Sequence, residues 1–196
     1  MKLANFFTVL RIILAPVFLL IYFSPQLNSA FLHVSVYIMI PLLIFAEFTD
    51  FLDGFYARKA NAVSDFGKLF DPFADVFLHI TTFFCYAVSG HVSLVLILFI
   101  IYREFAMLFL RMIATKNGIA IGARKGGKFK TVLYVIAGFY SLFLESSLRL
   151  GFYFFTTTSV FTSVGTLLYL LALIAAYVSF IDYLIVFLPR LKNKNM

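Results

Sequence analysis

The sequence predicts an all-α membrane protein with six transmembrane helices in a single domain, residues 1–196. Of the 196 residues, 63% are hydrophobic and 13% are charged, whereas a soluble domain is about half apolar and about a quarter charged. A spanning helix needs about 20 mainly apolar residues. Six segments of about that length or longer follow one another at 6–24, 30–56, 69–89, 92–115, 129–149 and 157–188.

The first segment is expected to be a retained helix. It has a short basic start, but no small-residue cleavage site follows it, and it ends just before Pro25. The second and sixth segments are longer than a simple span, so each is expected to extend beyond the bilayer. Cys85 lies within the apolar third segment and has no cysteine partner, so it is expected to pack in the core or face lipid.

The positive charges lie almost entirely on one side of this six-span arrangement. Arg149 is the only cation in the odd-numbered connections. The termini and the even-numbered connections carry Lys2, Arg58, Lys59, Lys68, Lys116, Arg124, Lys125, Lys128, Lys130, Arg190, Lys192 and Lys194. Cytoplasmic loops are the cationic ones, so both termini are predicted to be cytoplasmic in a cell (inner) membrane. This bias accounts for the net charge of +7, and no nucleic-acid partner is expected.

Six of the nine acidic residues lie close together, at Glu47, Asp50, Asp53, Asp65, Asp71 and Asp75. Carboxylates inside a membrane protein are costly and usually functional. Residues three or four apart share one face of a helix, so Asp50 pairs with Asp53 and Asp71 with Asp75. The short connection between the second and third helices lets the two pairs converge. Asp65 is expected to be solvated or a helix cap.

Converging carboxylates repel one another unless cations lie between them. All the candidate ligand atoms are oxygen, which favours a hard divalent ion, and four carboxylates could hold two Mg²⁺ or Mn²⁺ ions. Gly54 and Ala57 are small enough for a ligand to approach closely, and Arg58 offers a fork of donors to a phosphate. These features indicate a pyrophosphate site. Ion pairing of the carboxylates with nearby cations at the membrane surface is the weaker alternative.

The stretch D-F-L-D-G-F-Y-A-R at 50–58, followed by G-K-L-F-D-P-F-A-D at 67–75, resembles the signature of the CDP-alcohol phosphotransferase family at every fixed position. The resemblance implies six helices around a polar cavity open to the cytoplasm. It also implies transfer of the phosphoryl-alcohol part of a CDP-linked substrate to an acceptor hydroxyl, with release of CMP. A homodimer is expected on the same ground, and helix-spaced small residues such as Gly165 and Ala172 are weak indications of an interface.

The resemblance also implies roles for individual residues. The four aspartates, Asp50, Asp53, Asp71 and Asp75, correspond to the ligands of two metal ions, and Asp75 also to the general base. The residues implied to contact the CDP group are Asn5, Thr8, Gly54, Ala57, Arg58, Ser64, Gly67 and Lys68. Arg11 is implied to lie near the nucleotide phosphates, with an interfacial anchor as the alternative. Instead of contacting the CDP group, Asn5 could be a helix cap.

A second cationic group addresses the acceptor. Arg103 falls in the middle of the fourth segment, where it needs an anion, which Glu104 or a substrate phosphate could supply. With Arg111, Lys128 and Lys130 it is predicted to bind the acceptor phosphate. Arg124 is equally compatible with contacts to lipid headgroups. His79 is expected to be a packed residue, and Glu47, which faces away from Asp53, to pair elsewhere.

Short stretches at 4–18, 103–105, 110–111 and 127–131 resemble the phosphatidylglycerophosphate synthase branch of the same family. This implies CDP-diacylglycerol as the lipid donor and glycerol 3-phosphate as the small polar acceptor. Ala4 and Val76 depart from that branch, where proline and lysine are usual, so inositol phosphate, serine or choline acceptors stay open. The alternative from another class is a divalent-cation transporter, but the acidic cluster lies at the cytoplasmic end rather than the midplane.

Overall fold

Every hydrophobic segment predicted from the sequence contains a long helix. The computed structural model describes residues 3–59, 65–119 and 124–194, which are helical apart from short turns. The helices are α1 (Leu3–Leu27), α2 (Phe31–Lys59), α3 (Asp65–Val88), α4 (Leu94–Lys116), α5 (Lys125–Arg149), α6 (Phe154–Thr157) and α7 (Ser159–Lys194). The short α6 was not predicted, and it precedes the sixth long helix. As expected, α2 and α7 are longer than a simple span.

The helix α1 does not end before Pro25, as the sequence suggested, but continues to Leu27. Proline cannot donate the backbone hydrogen bond that the carbonyl of Ile21 would otherwise accept. The hydroxyl of Ser24 donates to that carbonyl instead, at 2.8 Å. This side-chain bond satisfies the carbonyl and lets the last turn form despite the proline.

Four of the described helices are long and apolar enough to cross a membrane, over Phe6–Leu27, Phe31–Thr49, Gly126–Arg149 and Ser159–Pro189. The chain is therefore a multi-pass helical membrane protein. Its outer surface is apolar, as the exposed side chains of Leu20 and Ile185 illustrate, while Arg11 and Glu104 are buried. This inside-out distribution of polarity is expected when the surrounding solvent is lipid.

The helix α1 packs against both α2 and α3, and α5 packs against α7. Further contacts join α3 to α4 and α5, and α4 to α7. Aromatic rings fill the centre, where the ring of Phe83 meets those of Tyr134 and Tyr169 edge to face at 5.4 and 5.0 Å. Gly165 and Ala172 lie inside this bundle, and Gly165 packs beside Tyr140. Their small size therefore serves packing within the chain.

A buried ionic cluster ties the helices together at the end of the bundle where α5 finishes. The guanidinium of Arg149 donates to the Glu145 carboxylate at 2.6 Å, to the Ser35 hydroxyl at 2.7 Å and to the Tyr22 carbonyl at 2.8 Å. The His91 ring lies 2.7 Å from the second Glu145 oxygen. The sequence predicts Arg149 in a connection, but in the structure it is the last residue of α5, is 7% exposed and has its charge compensated by Glu145.

Candidate active site

The signature residues on α3 are held by α1. Thr8 and Arg11, one turn apart on α1, face Asp71 and Asp75, one turn apart on α3. The Thr8 hydroxyl donates to Asp71 Oδ1 at 2.6 Å, and the Arg11 guanidinium donates to Asp75 Oδ1. Thr8 and Arg11 are both fully buried. Arg11 is therefore a partner of the carboxylate pair and not an interfacial anchor.

The other signature pair, Asp50 and Asp53, lies on the last turns of α2. The side chains of Asn5, Asp50, Asp53, Gly54, Ala57, Arg58 and Lys68 lie outside the description, and Ser64 lies outside the described residues altogether. Gly67 is buried in the first turn of α3. The predicted contacts of the CDP group are thus described only at Thr8 and Gly67, and they stay predictions.

One contact between α2 and α3 sets the relative height of the two pairs. Glu47 Oε1 lies 3.3 Å from the His79 ring nitrogen. Asp50 follows Glu47 by three residues and Asp75 precedes His79 by four, which is about 4.5 and 6 Å along antiparallel helices. The backbones of Asp50 and Asp75 are therefore close to level. The predictions that Glu47 pairs elsewhere and that His79 is a packed residue are both confirmed.

The described carboxylates suit the predicted divalent ions in ligand chemistry. Asp71 and Asp75 offer hard oxygen ligands on one helix face, and the Asp75 side chain keeps 31% of its surface exposed. Among the described residues, no three His, Cys, Asp or Glu side chains gather closely enough to hold a metal ion. A complete set would need Asp50 and Asp53, whose backbones lie in the last turns of α2.

A cavity of about 220 Å³ opens beside Asp75, between α3, α4, α5 and α7. All four residues predicted to bind the acceptor phosphate line it. The polar residues around it are Asp75, His79, Arg103, Glu104, Arg111, Lys128, Lys130, Thr131, Tyr134 and Tyr183. Four arginine and lysine charges face two carboxylate charges in this wall, which leaves two positive charges in excess. The cavity therefore suits a small anion held close to the Asp75 carboxylate.

The cations of the cavity are organised around Glu104. Its Oε1 accepts hydrogen bonds from Arg103 at 2.8 Å, from Lys130 at 3.0 Å and from the Tyr134 hydroxyl at 2.8 Å. Arg103 Nε also donates to the Ala176 carbonyl at 2.9 Å. Arg103 and Glu104 are each 3% exposed. Of the two anions that the sequence left open for Arg103, Glu104 is the one that pairs with it in the structure, and binding of a substrate phosphate by Arg103 stays a prediction.

Two tyrosines of the cavity were missed from the sequence. Tyr134 follows Lys130 by four residues and so shares its helix face, a spacing that could have revealed it. The Lys130 ammonium lies 4.4 Å from the centre of the Tyr134 ring, which is a cation–π distance. Tyr183 is on α7, far along the chain in a mainly apolar helix, and the adjacent Asp182 alone did not indicate a place in the cavity.

The fold and the site together define a polytopic helical membrane protein in which a pair of aspartates on α3 lies beside a cavity lined by cations. Residues 1–179 match the family model described as CDP-alcohol phosphatidyltransferase. The chain belongs to the CDP-alcohol phosphatidyltransferase family.

Curated relatives cover most or all of the chain. A protein of Treponema pallidum is 38% identical over 98% of this chain and 92% of its own length. Proteins of Mycoplasma genitalium and Bacillus subtilis are 33% and 34% identical, over 99% and 69% of this chain and 87% and 74% of their own lengths. All three are named CDP-diacylglycerol–glycerol-3-phosphate 3-phosphatidyltransferase.

Replacing Glu104 by glutamine is expected to destabilise the protein by about 3–5 kcal/mol, because the buried charge of Arg103 loses its partner. Tyr134→Phe is the matched comparison, since it removes one neutral donor from the same oxygen and should cost about 1 kcal/mol. Unfolding by denaturant in detergent micelles measures both free energies. Equal losses for the two variants would mean that Glu104 does not compensate the cations.

Proposed function

We propose that this protein transfers the phosphatidyl group of CDP-diacylglycerol to a hydroxyl of glycerol 3-phosphate, forming phosphatidylglycerophosphate and releasing CMP. The observation that carries the proposal is the cavity in which Asp75 meets Arg103, Arg111, Lys128 and Lys130. A phosphate held by those cations would present a neighbouring hydroxyl to a carboxylate. The names of the relatives agree with this donor and this acceptor.

The charge of the cavity favours a phosphorylated acceptor over serine or choline. Its wall carries an excess of positive charge, which would attract a phosphate and repel a quaternary ammonium. Its volume of about 220 Å³ suits a small acceptor.

The chain's own residues would perform three tasks in the transfer. The cations of the cavity would orient the acceptor phosphate, and Asp75 would accept the proton of the attacking hydroxyl. A bond then forms between the acceptor oxygen and the phosphatidyl phosphorus. The bond from that phosphorus to the bridging oxygen breaks, and CMP leaves with the electron pair. Thr8 and Arg11 would hold Asp71 and Asp75 in place during this exchange.

Two Mg²⁺ or Mn²⁺ ions are part of the proposal, with Asp50, Asp53, Asp71 and Asp75 as ligands. Bound there, such ions would neutralise the pyrophosphate and the departing CMP. The CDP group is proposed to lie along the start of α1, the end of α2 and the connection that follows. The residues proposed to contact it are Asn5, Thr8, Gly54, Ala57, Arg58, Ser64, Gly67 and Lys68.

We further propose that α3 and α4 complete a six-span bundle with both termini and the active site on the cytoplasmic side. The two helices have 24 and 23 residues, which is long enough to span at about 1.5 Å per residue. Charged side chains near the middle of α4 have partners inside the bundle, as at Glu104. The buried pairing of Arg149 supports the orientation, because it leaves the odd-numbered connections without an uncompensated cation. The homodimer stays a prediction.

Single cysteines at the two ends of α4 test the topology. In a Cys85→Ser background, an impermeant maleimide added outside the cell membrane should label Ser93→Cys and spare Lys116→Cys. Both positions are exposed to the surroundings of the bundle, so accessibility reports the side of the membrane. Labelling of both from one side would mean that α4 does not span, and the reverse pattern would invert the orientation.

The reaction itself is tested with purified protein, CDP-diacylglycerol and a panel of acceptors. We expect CMP release with glycerol 3-phosphate and a divalent ion, and none after chelation, because the pyrophosphate charge is then uncompensated. Inositol phosphate, serine and choline are the comparison acceptors. Fast release with one of these instead would reassign the acceptor. Divalent-ion flux into liposomes without any CMP release would favour a transporter.

Replacing Asp75 by asparagine should lower kcat at least about a hundredfold, since the amide keeps the shape of the side chain but cannot accept the proton. Binding of CDP-diacylglycerol should be partly retained and is measured by titration. Asp65→Asn is the matched control, because Asp65 belongs to the same run but lies outside the signature. Turnover close to that of the parent protein in Asp75→Asn would remove Asp75 from the role of base.

A further inference from the structure

We infer that Asp182 and Tyr183 on α7 are positioning residues that hold the first turn of α5, and with it Lys128 and Lys130, in the wall of the cavity. The inference rests on the proposed function, because it assigns these residues to binding of the acceptor phosphate. Both lie beyond the part of the chain that the family model matches, which ends at residue 179. Membership of the family therefore does not assign this role.

The two adjacent residues hold Arg124, the residue that precedes α5, in different ways. The Asp182 carboxylate accepts two hydrogen bonds from the Arg124 guanidinium, from Nε at 2.5 Å and from the NH2 nitrogen at 3.0 Å. The Tyr183 hydroxyl accepts a hydrogen bond from the Arg124 backbone N–H at 2.9 Å. Two parallel hydrogen bonds between a guanidinium and a carboxylate fix the orientation of the arginine side chain as well as its distance. Side chain and backbone of Arg124 are thus both fixed to α7.

This attachment continues directly into the cavity wall. The backbone N–H of Lys128 donates to the Arg124 carbonyl at 3.2 Å, in the first turn of α5. A Cβ atom on Gly127 would lie 3.4 Å from the Tyr183 hydroxyl, an ordinary contact distance, so this turn packs directly beside the tyrosine. Lys130 follows Lys128 by two residues, and its ammonium donates to Glu104. Moving Arg124 would therefore move both lysines relative to Glu104.

Tyr183 also contacts a third cation of the cavity. It is 1% exposed and lines the cavity wall. The Arg111 guanidinium carbon lies 6.0 Å from the centre of its ring, and the ring stacks on Phe187 with centres 5.8 Å apart. Tyr183 is therefore a buried side chain of α7 that contacts Arg111 on α4 and the start of α5.

The contact between Arg124 and Asp182 is too exposed to be a major source of stability. Their side chains are 38% and 43% exposed, and ion pairs of that kind are strongly screened by solvent. Function is more sensitive than stability to the placement of the cavity lysines, because a displacement of about 1 Å in a binding site can change rates by a large factor. Loss of the pair is therefore expected to weaken acceptor binding more than it weakens the fold.

The test compares Tyr183→Phe with the matched control Tyr177→Phe. Tyr177 lies on the same helix, but its hydroxyl donates to the Phe99 carbonyl at 3.1 Å, away from the cavity. Tyr183→Phe keeps the ring and removes the hydroxyl, which accepts from Arg124 and also interacts with Arg111. The KM for glycerol 3-phosphate should rise roughly three- to tenfold. The KM for CDP-diacylglycerol and the kcat should change little, and Tyr177→Phe should match the parent protein.

Asp182→Asn should give a similar rise, and Asp182→Glu should restore much of the affinity because it keeps the charge that binds Arg124. Arg124→Gln tests the same contact from the other side, and the double variant with Asp182→Asn should be no worse than either single one. Direct titration of the parent protein and the variants with glycerol 3-phosphate gives the same comparison without turnover. Thermal unfolding midpoints check that each variant is folded.

The outcomes separate the two proposals. If the parent protein neither binds glycerol 3-phosphate nor releases CMP with it, the proposed function fails, and this inference fails with it. If the parent protein is active but Tyr183→Phe and Asp182→Asn bind the acceptor as the parent does, only the inference is overturned. An equal loss of affinity for the donor and the acceptor would indicate a general structural role and would also overturn it.

Discussion

The constraint that governs this protein is that every charge inside an apolar helix bundle needs a partner. The clearest case is Glu104, where the Oε1 atom accepts hydrogen bonds from Arg103, Lys130 and Tyr134. An unpaired charge of this kind would cost several kcal/mol in such an environment. Because those donors come from α4 and α5, and Arg103 also reaches the α7 backbone, compensating one carboxylate also joins three helices around the cavity.

The same constraint acts at both ends of the bundle with different results. Around Glu145, the Arg149 guanidinium, the His91 ring and nearby neutral groups are joined by hydrogen bonds. This cluster connects several helices. Around Asp75, the compensation by Arg11 leaves the carboxylate partly exposed beside an excess of cations. The Glu145 cluster is thus a structural ionic contact between helices, while the cavity beside Asp75 keeps positive charge that a bound anion could neutralise.

Patterns within single helices were sufficient to predict much of this arrangement. Hydrophobic segment length located the long helices, and the spacing of Asp71 and Asp75 gave their shared face. The need of Arg103 for an anion made Glu104 one of two candidates, and the structure shows that pair. Contacts between distant helices were beyond reach, such as Thr8 with Asp71 or Tyr183 with Arg124, because a tyrosine in an apolar helix has no local signature. The end of α1 was misplaced because the hydroxyl of Ser24 compensates for Pro25.

We propose that Asp75 and the four cations of the cavity form one acceptor site. A structure determined in lipid with glycerol 3-phosphate, CMP and a divalent ion would show where the acceptor binds. We expect the acceptor phosphate within hydrogen-bonding distance of at least one of Arg103, Arg111, Lys128 and Lys130, with a hydroxyl of the same molecule about 3 Å from the Asp75 carboxylate. A phosphate bound outside this cavity, or an acceptor hydroxyl turned away from Asp75, would contradict it.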